Sequence, residues 1–320
     1  MQNTENKNTS NNNTMNRYKI LLISLLFFFS LFSASAQIAK QTHIFAVKDG
    51  QELKLDIYSL DSDFNIKQPC LIFVFGGGFK EGTRDAEYYS NYFQYFAERG
   101  FKVVSIDYRL GMKNQKVPGV FNYKPLLNSI DIAVADLYSA TEFLLEHADY
   151  LNIDTSKIII SGSSAGALTV LQADYEKRNQ KESASVLPQS FQYAGVISFA
   201  GAVFSKEGKP SYKITPAPTL FFHGSGDNLV PYKQIRVFRL GLFGSKSLAK
   251  QFRKKGYPYV FYSMDNVGHE AASYPMKEFL PEIEYFIQNL VLNNKQWLVD
   301  INLKDKFRKP TIKINPRSYY

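Results

Sequence analysis

Residues 157–166 read KIIISGSSAG and are followed by the helix-compatible run ALTVLQAD. Apolar residues leading into G-x-S-x-G, with a helical stretch behind, describe a strand, a sharp turn and a helix. In that context the motif has a mechanical meaning. Small residues at Gly162 and Gly166 allow so tight a turn that the central side chain, Ser164, is pushed outward. There it stands at the positive end of the following helix, as a candidate nucleophile. Ser163, at the variable position, is expected to point elsewhere. A Gly/Ser-rich turn can imitate the pattern, so the rest of the chain must supply a base, an acid and an anion-binding loop.

Outward from this segment, short apolar runs alternate with longer amphipathic ones. Thr42–Val47 and Leu53–Tyr58 read as an opening pair of strands around a hairpin signal at Lys48-Asp49-Gly50. Cys70–Phe75, Lys102–Ile106, Lys157–Ser161, Tyr193–Phe199, Thr219–Phe222 and Tyr259–Met264 are further strand candidates. Helical patterns fall at Glu87–Arg99, Asn128–Ala148, Ala165–Asp174 and Ser273–Asn293, the last with Ser273 as N-cap and Pro275 in its first turn. The alternation predicts an α/β fold, a mostly parallel central sheet with helices on both faces. Near-continuous apolar runs fit strands covered on both sides. In such sheets ligands bind outside the carboxyl ends of the strands, so the residues following each strand matter most.

After the strand ending at Phe75 come Gly76, Gly77, Gly78 and Phe79. Consecutive glycines let backbone N–H groups approach a ligand closely. The amides of Gly77 and Gly78, with that of Ala165, are the candidate oxyanion hole. A phosphate-cradling loop is the competing reading, and the missing G-x-x-x-x-G-K-[ST] pattern makes the nucleotide case poor. Four histidines are available as base: His43, His147, His223 and His269. His269 follows a strand in NVGHE, and His223 ends one in HGSGDNLVP, whose Asp227 can reach back to a histidine. The order Ser164, Asp227, His269 is nucleophile, acid, base, and His269 is preferred over its competitor His223. Asp265 is a second-choice acid. His43 and His147, on an opening strand and a helix end, read as structural.

Together FGGGF, GSSAG, HGSGDNLVP and VGHE resemble the α/β-hydrolase superfamily, in particular carboxylesterases related to hormone-sensitive lipase. The resemblance runs from about Gln51 to Asn293 and includes Ser105–Leu110, Asp131–Asp136 and Asn152–Asp154. It implies ester hydrolysis through an acyl-enzyme on Ser164, with His269 and Asp227 completing the triad. Two departures stand out. Phe75 occupies the place where that family has a histidine supporting the glycine loop, which puts the loop's rigidity in question. The N-terminal cap is short or absent, since strands begin near Thr42. Phe75, Phe79 and Tyr88 are candidates for an acyl or aromatic pocket. Glu176–Pro188 reads as a plain surface connection, with a small loop over the site as the alternative, and Gly241–Lys255 is a candidate lid helix. A small serine peptidase and a catalytically silent binding protein on the same fold stay open as alternatives.

The ends of the chain read differently. Ile20–Phe32 is an apolar run of 13 behind Arg17 and Lys19, followed by Ala34-Ser35-Ala36. This describes a secretory signal peptide cleaved after Ala36, with an Asn/Thr-rich disordered lead, Met1–Thr14, before it. The run is too short for a stable membrane span, so a secreted or periplasmic protein is expected. Residues 37–300 then form the hydrolase domain and 301–320 a basic tail carrying Lys304, Lys306, Arg308, Lys309, Lys313 and Arg317. Residues 1–36 hold Lys7, Arg17, Lys19 and Glu5, so their removal lowers the net charge from +9 to +7. Cys70 is the only cysteine, which rules out an internal disulfide. Neither a metal cluster nor a cofactor motif is visible, and no nucleic-acid module is recognisable. The expected partner is a small-molecule or polysaccharide-linked ester, such as an acetyl or feruloyl ester of a carbohydrate.

Overall fold

Runs of five to eleven residues rich in Val, Ile and Phe become strands of one sheet, and the fully apolar ones lie at its centre. The structure, a computed structural model, describes residues 37–60, 66–116, 118–119 and 122–307. Residues 1–36, read above as a disordered lead and signal peptide, and the tail from Arg308 onward lie outside the described residues. A hairpin opens the fold: β1 (Ile38–Lys48) and β2 (Gln51–Leu60) are joined by Asp49 and Gly50, at φ 51° and 74°. Positive φ at both positions is what a two-residue turn matching the strand twist requires, and Asp-Gly supplies it.

β3 (Gln68–Val74), a short 3-10 turn (Glu87–Tyr89), α1 (Ser90–Ala97) and β4 (Lys102–Ile106) follow. Next come α2 (Lys124–Glu146), β5 (Ile153–Ser163), α3 (Ala165–Arg178), β6 (Gly195–Phe199), β7 (Ala202–Ser205) and β8 (Thr219–Gly224). The chain continues through β9 (Gln234–Val237), β10 (Leu240–Gly244), α4 (Ser245–Lys255), β11 (Tyr259–Met264), α5 (Pro275–Glu278), α6 (Leu280–Phe286) and β12 (Leu298–Leu303). Nine strands form the main sheet in the order β1-β2-β4-β3-β5-β6-β8-β11-β12. β2 runs antiparallel to both of its neighbours, and every pair from β4 to β12 is parallel. β7, β10 and β9 make a separate antiparallel sheet. Among the described residues only Gln37 precedes β1, so no cap stands there. Nor is any described helix long and apolar enough to cross a membrane.

Several segments behave differently from expectation. Gly241–Lys255 is not a lid. Its first residues complete β10, and α4 buries Leu248, Ala249 and Phe252 against β8 and β11, with the Phe252 ring 5.6 Å from Phe221. Apolar residues at that spacing commit the helix to covering the sheet. Glu176–Pro188 does not overhang the site either. It begins at the carboxyl end of α3, a 14-residue helix that starts beside Ser164, so it lies about 20 Å away. The pattern over Ser273–Asn293 is broken into α5, α6 and a π-turn at Ile287–Leu292, with Pro275 and Pro281 opening the two short helices. β12 runs on to Leu303, past residue 300 where the sequence suggests the tail begins. It is a half-exposed edge strand pairing only β11, so its mixed polarity hid it.

The motif Ser105–Leu110 is structural. Arg109 donates from Nε (3.0 Å) and Nη2 (2.8 Å) to the buried carboxylate of Asp136, which also receives Lys48 Nζ at 2.9 Å. The core is strongly aromatic around β3. Phe73 is fully buried, its ring centroid 4.5 Å from Tyr89, 5.2 Å from Phe93 and 5.7 Å from Tyr92. Phe73→Ala is expected to lower unfolding stability by about 3–5 kcal/mol, read as a lower urea midpoint at unchanged slope.

Candidate active site

The carboxyl ends of β3, β5, β8 and β11 lie in one parallel array, and the loops leaving them carry the glycines, Ser164, Asp227 and His269. Ser164 sits between β5 and α3 at φ 51°, ψ −113°. A non-glycine residue adopts this strained conformation only where its surroundings impose it. Here two neighbours must lack side chains. A Cβ on Gly166 would lie 2.0 Å from the carbonyl oxygen of Val74, and one on Gly162 would lie 2.3 Å from that of Gly166. Hydrogen bonds from Ser164 N to Phe199 O and from Leu168 N to Ser164 O, both 2.9 Å, hold the turn to β6 and to the helix. Ser163 does point elsewhere, donating to Ala272 O at 2.8 Å.

The structure brings the three predicted side chains into one line. Ser164 Oγ lies 2.8 Å from His269 Nε2, and His269 Nδ1 lies 2.8 Å from Asp227 Oδ2. With Nδ1–H donating to the carboxylate, Nε2 presents a lone pair to the serine hydroxyl. Asp227 Oδ1 accepts the amides of Leu229 (2.9 Å) and Val230 (3.1 Å), which fixes its orientation. Asp265 accepts from Ser225 Oγ instead and makes no contact with His269 among the hydrogen bonds of the described residues.

His223 does not reach Ser164; it serves the acid. Its Nε2 lies 3.3 Å from both Asp227 Oδ2 and Val230 O. Both are acceptors, so the Nε2 position carries a proton, and a neutral His223 accepts from Ser245 Oγ at Nδ1 (2.8 Å). One carboxylate oxygen thus receives two imidazoles. Burial works against the Asp227 charge, but hydrogen bonds from His223 and His269 and their positive charge when protonated outweigh it. They hold the carboxyl well below the usual carboxylate range.

The glycine loop curls over the same place. Gly77 and Gly78 have φ of 120° and 62°, and Gly77 O accepts the amides of Lys80 (3.0 Å) and Glu81 (3.1 Å). Gly77 lines a cavity of about 440 Å³ together with Ser164, His269, Glu81, Tyr88 and Glu270. Gly78 and Ala165 are buried beside that cavity rather than lining it. The Gly76 amide donates to the Tyr89 hydroxyl at 3.1 Å, so it is already engaged. Phe75, in the place of the missing histidine, stacks on Tyr108 with centroids 4.3 Å apart, and Tyr108 OH donates to Phe75 O. Aromatic packing therefore steadies the loop. The roles of Tyr89 and His223 were not legible in sequence, although His223 had been marked by its place at a strand end. Phe75 and Phe79 are core residues, 2 % and 1 % exposed, and only Tyr88 of the three proposed pocket aromatics faces the cavity.

The BD-FAE family model matches residues 55–207, from β2 through α3 to just beyond β7. Esterase 2 of Thermogutta terrifontis superposes with a TM-score of 0.58 at 21 % identity, covering 78 % of this chain and 94 % of that one. Its propionate-bound form gives the same score at 22 % identity, with the same coverage of both chains. The chain has the α/β-hydrolase fold. Among curated relatives, esterase B1 of Culex pipiens is 25 % identical over 126 residues, 37 % of this chain and 21 % of that protein. A probable N-octanoylanthranilate hydrolase of Rhodococcus erythropolis is 28 % identical over 103 residues, 32 % of this chain and 21 % of that protein. The chain spans about a fifth of the length of these two relatives. The resemblance read from the motifs is to esterases, and the Thermogutta structures and the Culex relative carry that name, while the Rhodococcus relative carries that of a hydrolase.

Asp227 gives a signed pH dependence. Its folded pKa is depressed, so its contribution to stability is present above the ordinary carboxylate range and is lost as pH falls toward the folded value. The difference in urea midpoint between the wild-type protein and Asp227→Asn is expected to be large at pH 7 and to shrink steadily in acid.

Proposed function

We propose that this protein is an exported serine carboxylesterase that hydrolyses carboxylic esters, acetyl or feruloyl esters of carbohydrates among them. The observation carrying this reading is the continuous hydrogen-bonded line Ser164–His269–Asp227 at the strand ends, beside a cavity that Gly77 also lines. His269 Nε2 takes the Ser164 proton as Oγ attacks the ester carbonyl. Asp227 holds the imidazole in the required tautomer and stabilises it once charged. The amides of Gly77, Gly78 and Ala165 donate to the developing oxyanion. His269 then returns the proton to the leaving alcohol, and water releases the acyl group by the same route. Tyr88, 53 % exposed at the cavity wall, offers a face to an aromatic acyl group.

Ser164→Ala is expected to abolish labelling by a fluorophosphonate probe and hydrolysis of p-nitrophenyl acetate. Undiminished labelling would remove Ser164 from the role. Wild-type protein that is folded yet neither labels nor turns over would establish a silent binding protein instead. Gly77→Ala would place a Cβ 1.9 Å from Glu81 O at a φ of 120°, so the loop must shift. Turnover is expected to fall by at least about 100-fold, the effect of losing one oxyanion donor, with fluorophosphonate labelling slowed rather than lost.

A further inference from the structure

A cavity larger than the one over Ser164 lies elsewhere on the molecule. It measures about 840 Å³ and lies along the outer face of α4, between that helix, β9–β10 and the loop at Lys209. Six lysines line it, Lys209, Lys233, Lys246, Lys250, Lys254 and Lys255, and no carboxylate does. None of the six forms an ion pair within the described residues.

Helix physics argues against this as an ordinary solvated face. α4 reads SKSLAKQFRKK, with five basic residues and no acidic one. Lys246, Lys250 and Lys254 repeat at i, i+4, i+8, a stripe about 12 Å long in which like charges repel. Lys246 also stands in the first turn, where the helix dipole disfavours a cation. A helix selected only to cover β8 and β11 gains from mixing signs on its outer face, and this one does not. Lysine rather than arginine lines the cavity, so the charges are compact, strongly hydrated ammonium groups instead of forks for tight bidentate capture of phosphate. The long methylene stems add apolar surface between the ammonium groups.

The cavity is tied to the active site through one loop. Asp227 and Lys233 are six residues apart, at most about 20 Å along the chain. Lys246 N donates to Tyr232 O at 3.0 Å, and Ser245 at the start of α4 contacts His223. Over the nucleophile the charge has the opposite sign, because Glu81 and Glu270 line that cavity and no cation does. An uncharged, esterified unit is favoured at Ser164, and free carboxylates are favoured along α4.

We propose that the lysine-lined cavity is a subsite for an anionic polysaccharide, holding free uronate units that flank the esterified unit presented to Ser164. This rests on the carbohydrate-ester reading for its purpose, but not for its test. The full chain is titrated with ester-free polygalacturonate, a neutral arabinoxylan and duplex DNA, by affinity electrophoresis. Polygalacturonate is expected to retard it, the neutral polymer not, and the retardation to fade between about 50 and about 300 mM salt. Lys246→Gln, Lys250→Gln and Lys254→Gln combined are expected to weaken that binding by at least about tenfold, with p-nitrophenyl acetate turnover and melting temperature unchanged. These changes relieve like-charge repulsion, so α4 is expected to remain folded. Absence of retardation, retention of full binding in the triple variant, or equal binding of duplex DNA would each overturn the proposal. Because the polymer carries no ester, none of these results depends on whether Ser164 is a nucleophile.

Discussion

A serine held at positive φ between a buried strand and a helix is the constraint on which the rest depends. An L-residue in that conformation is strained and reverts unless packing on all sides prevents it. Gly166 allows α3 to close on β3, and Gly162 allows β5 to close on α3, so the turn has no room to relax. The strain is held by the central sheet, where β6 and the carboxyl-terminal parts of β3 and β5 are buried on both faces. A rigid sheet also explains why His269 and Asp227, contributed by loops after β11 and β8, arrive in register with the Ser164 hydroxyl.

The second organising feature is the sharing of one carboxylate oxygen by two histidines. Asp227 is surrounded by donors: His269 and His223 on Oδ2, the Leu229 and Val230 amides on Oδ1. A buried carboxylate so placed stays ionised and cannot rotate away from His269. Ser245 extends the same network to the start of α4, so the helix bearing the lysine stripe is tied through His223, near the end of β8, to the surroundings of Asp227. Two contacts, Ser245–His223 and His223–Asp227, therefore separate this structural helix from the Ser164–His269–Asp227 line.

Loop rigidity is achieved here without the usual histidine. Phe75 fills its place by stacking on Tyr108, and the absent side chain of Gly82 leaves room for the ring, since a Cβ there would lie 2.7 Å from Phe75 Cδ2. Tyr89 meanwhile occupies the Gly76 amide. Aromatic packing plus one buried hydroxyl replaces a polar contact, consistent with a core in which Phe73, Tyr89, Tyr92 and Phe93 already cluster.

Much of this was legible in the residue order, because some constraints are local. The G-x-S-x-G turn, the Asp-Gly hairpin, the continuous apolar strands and the order of Ser164, Asp227 and His269 are each written within a few residues or in their succession. Other features depend on which surface meets which. Gly241–Lys255 has the periodicity of any amphipathic helix, and only burial of Leu248 and Phe252 on the sheet distinguishes a covering layer from a lid. The edge strand at Leu298–Leu303 is covered by one neighbour, so its composition carries little strand signal. That His223 serves the acid rather than the nucleophile follows from distances across three strand ends. Periodicity and motif order are properties of the chain, whereas the choice between two histidines is settled by packing in three dimensions.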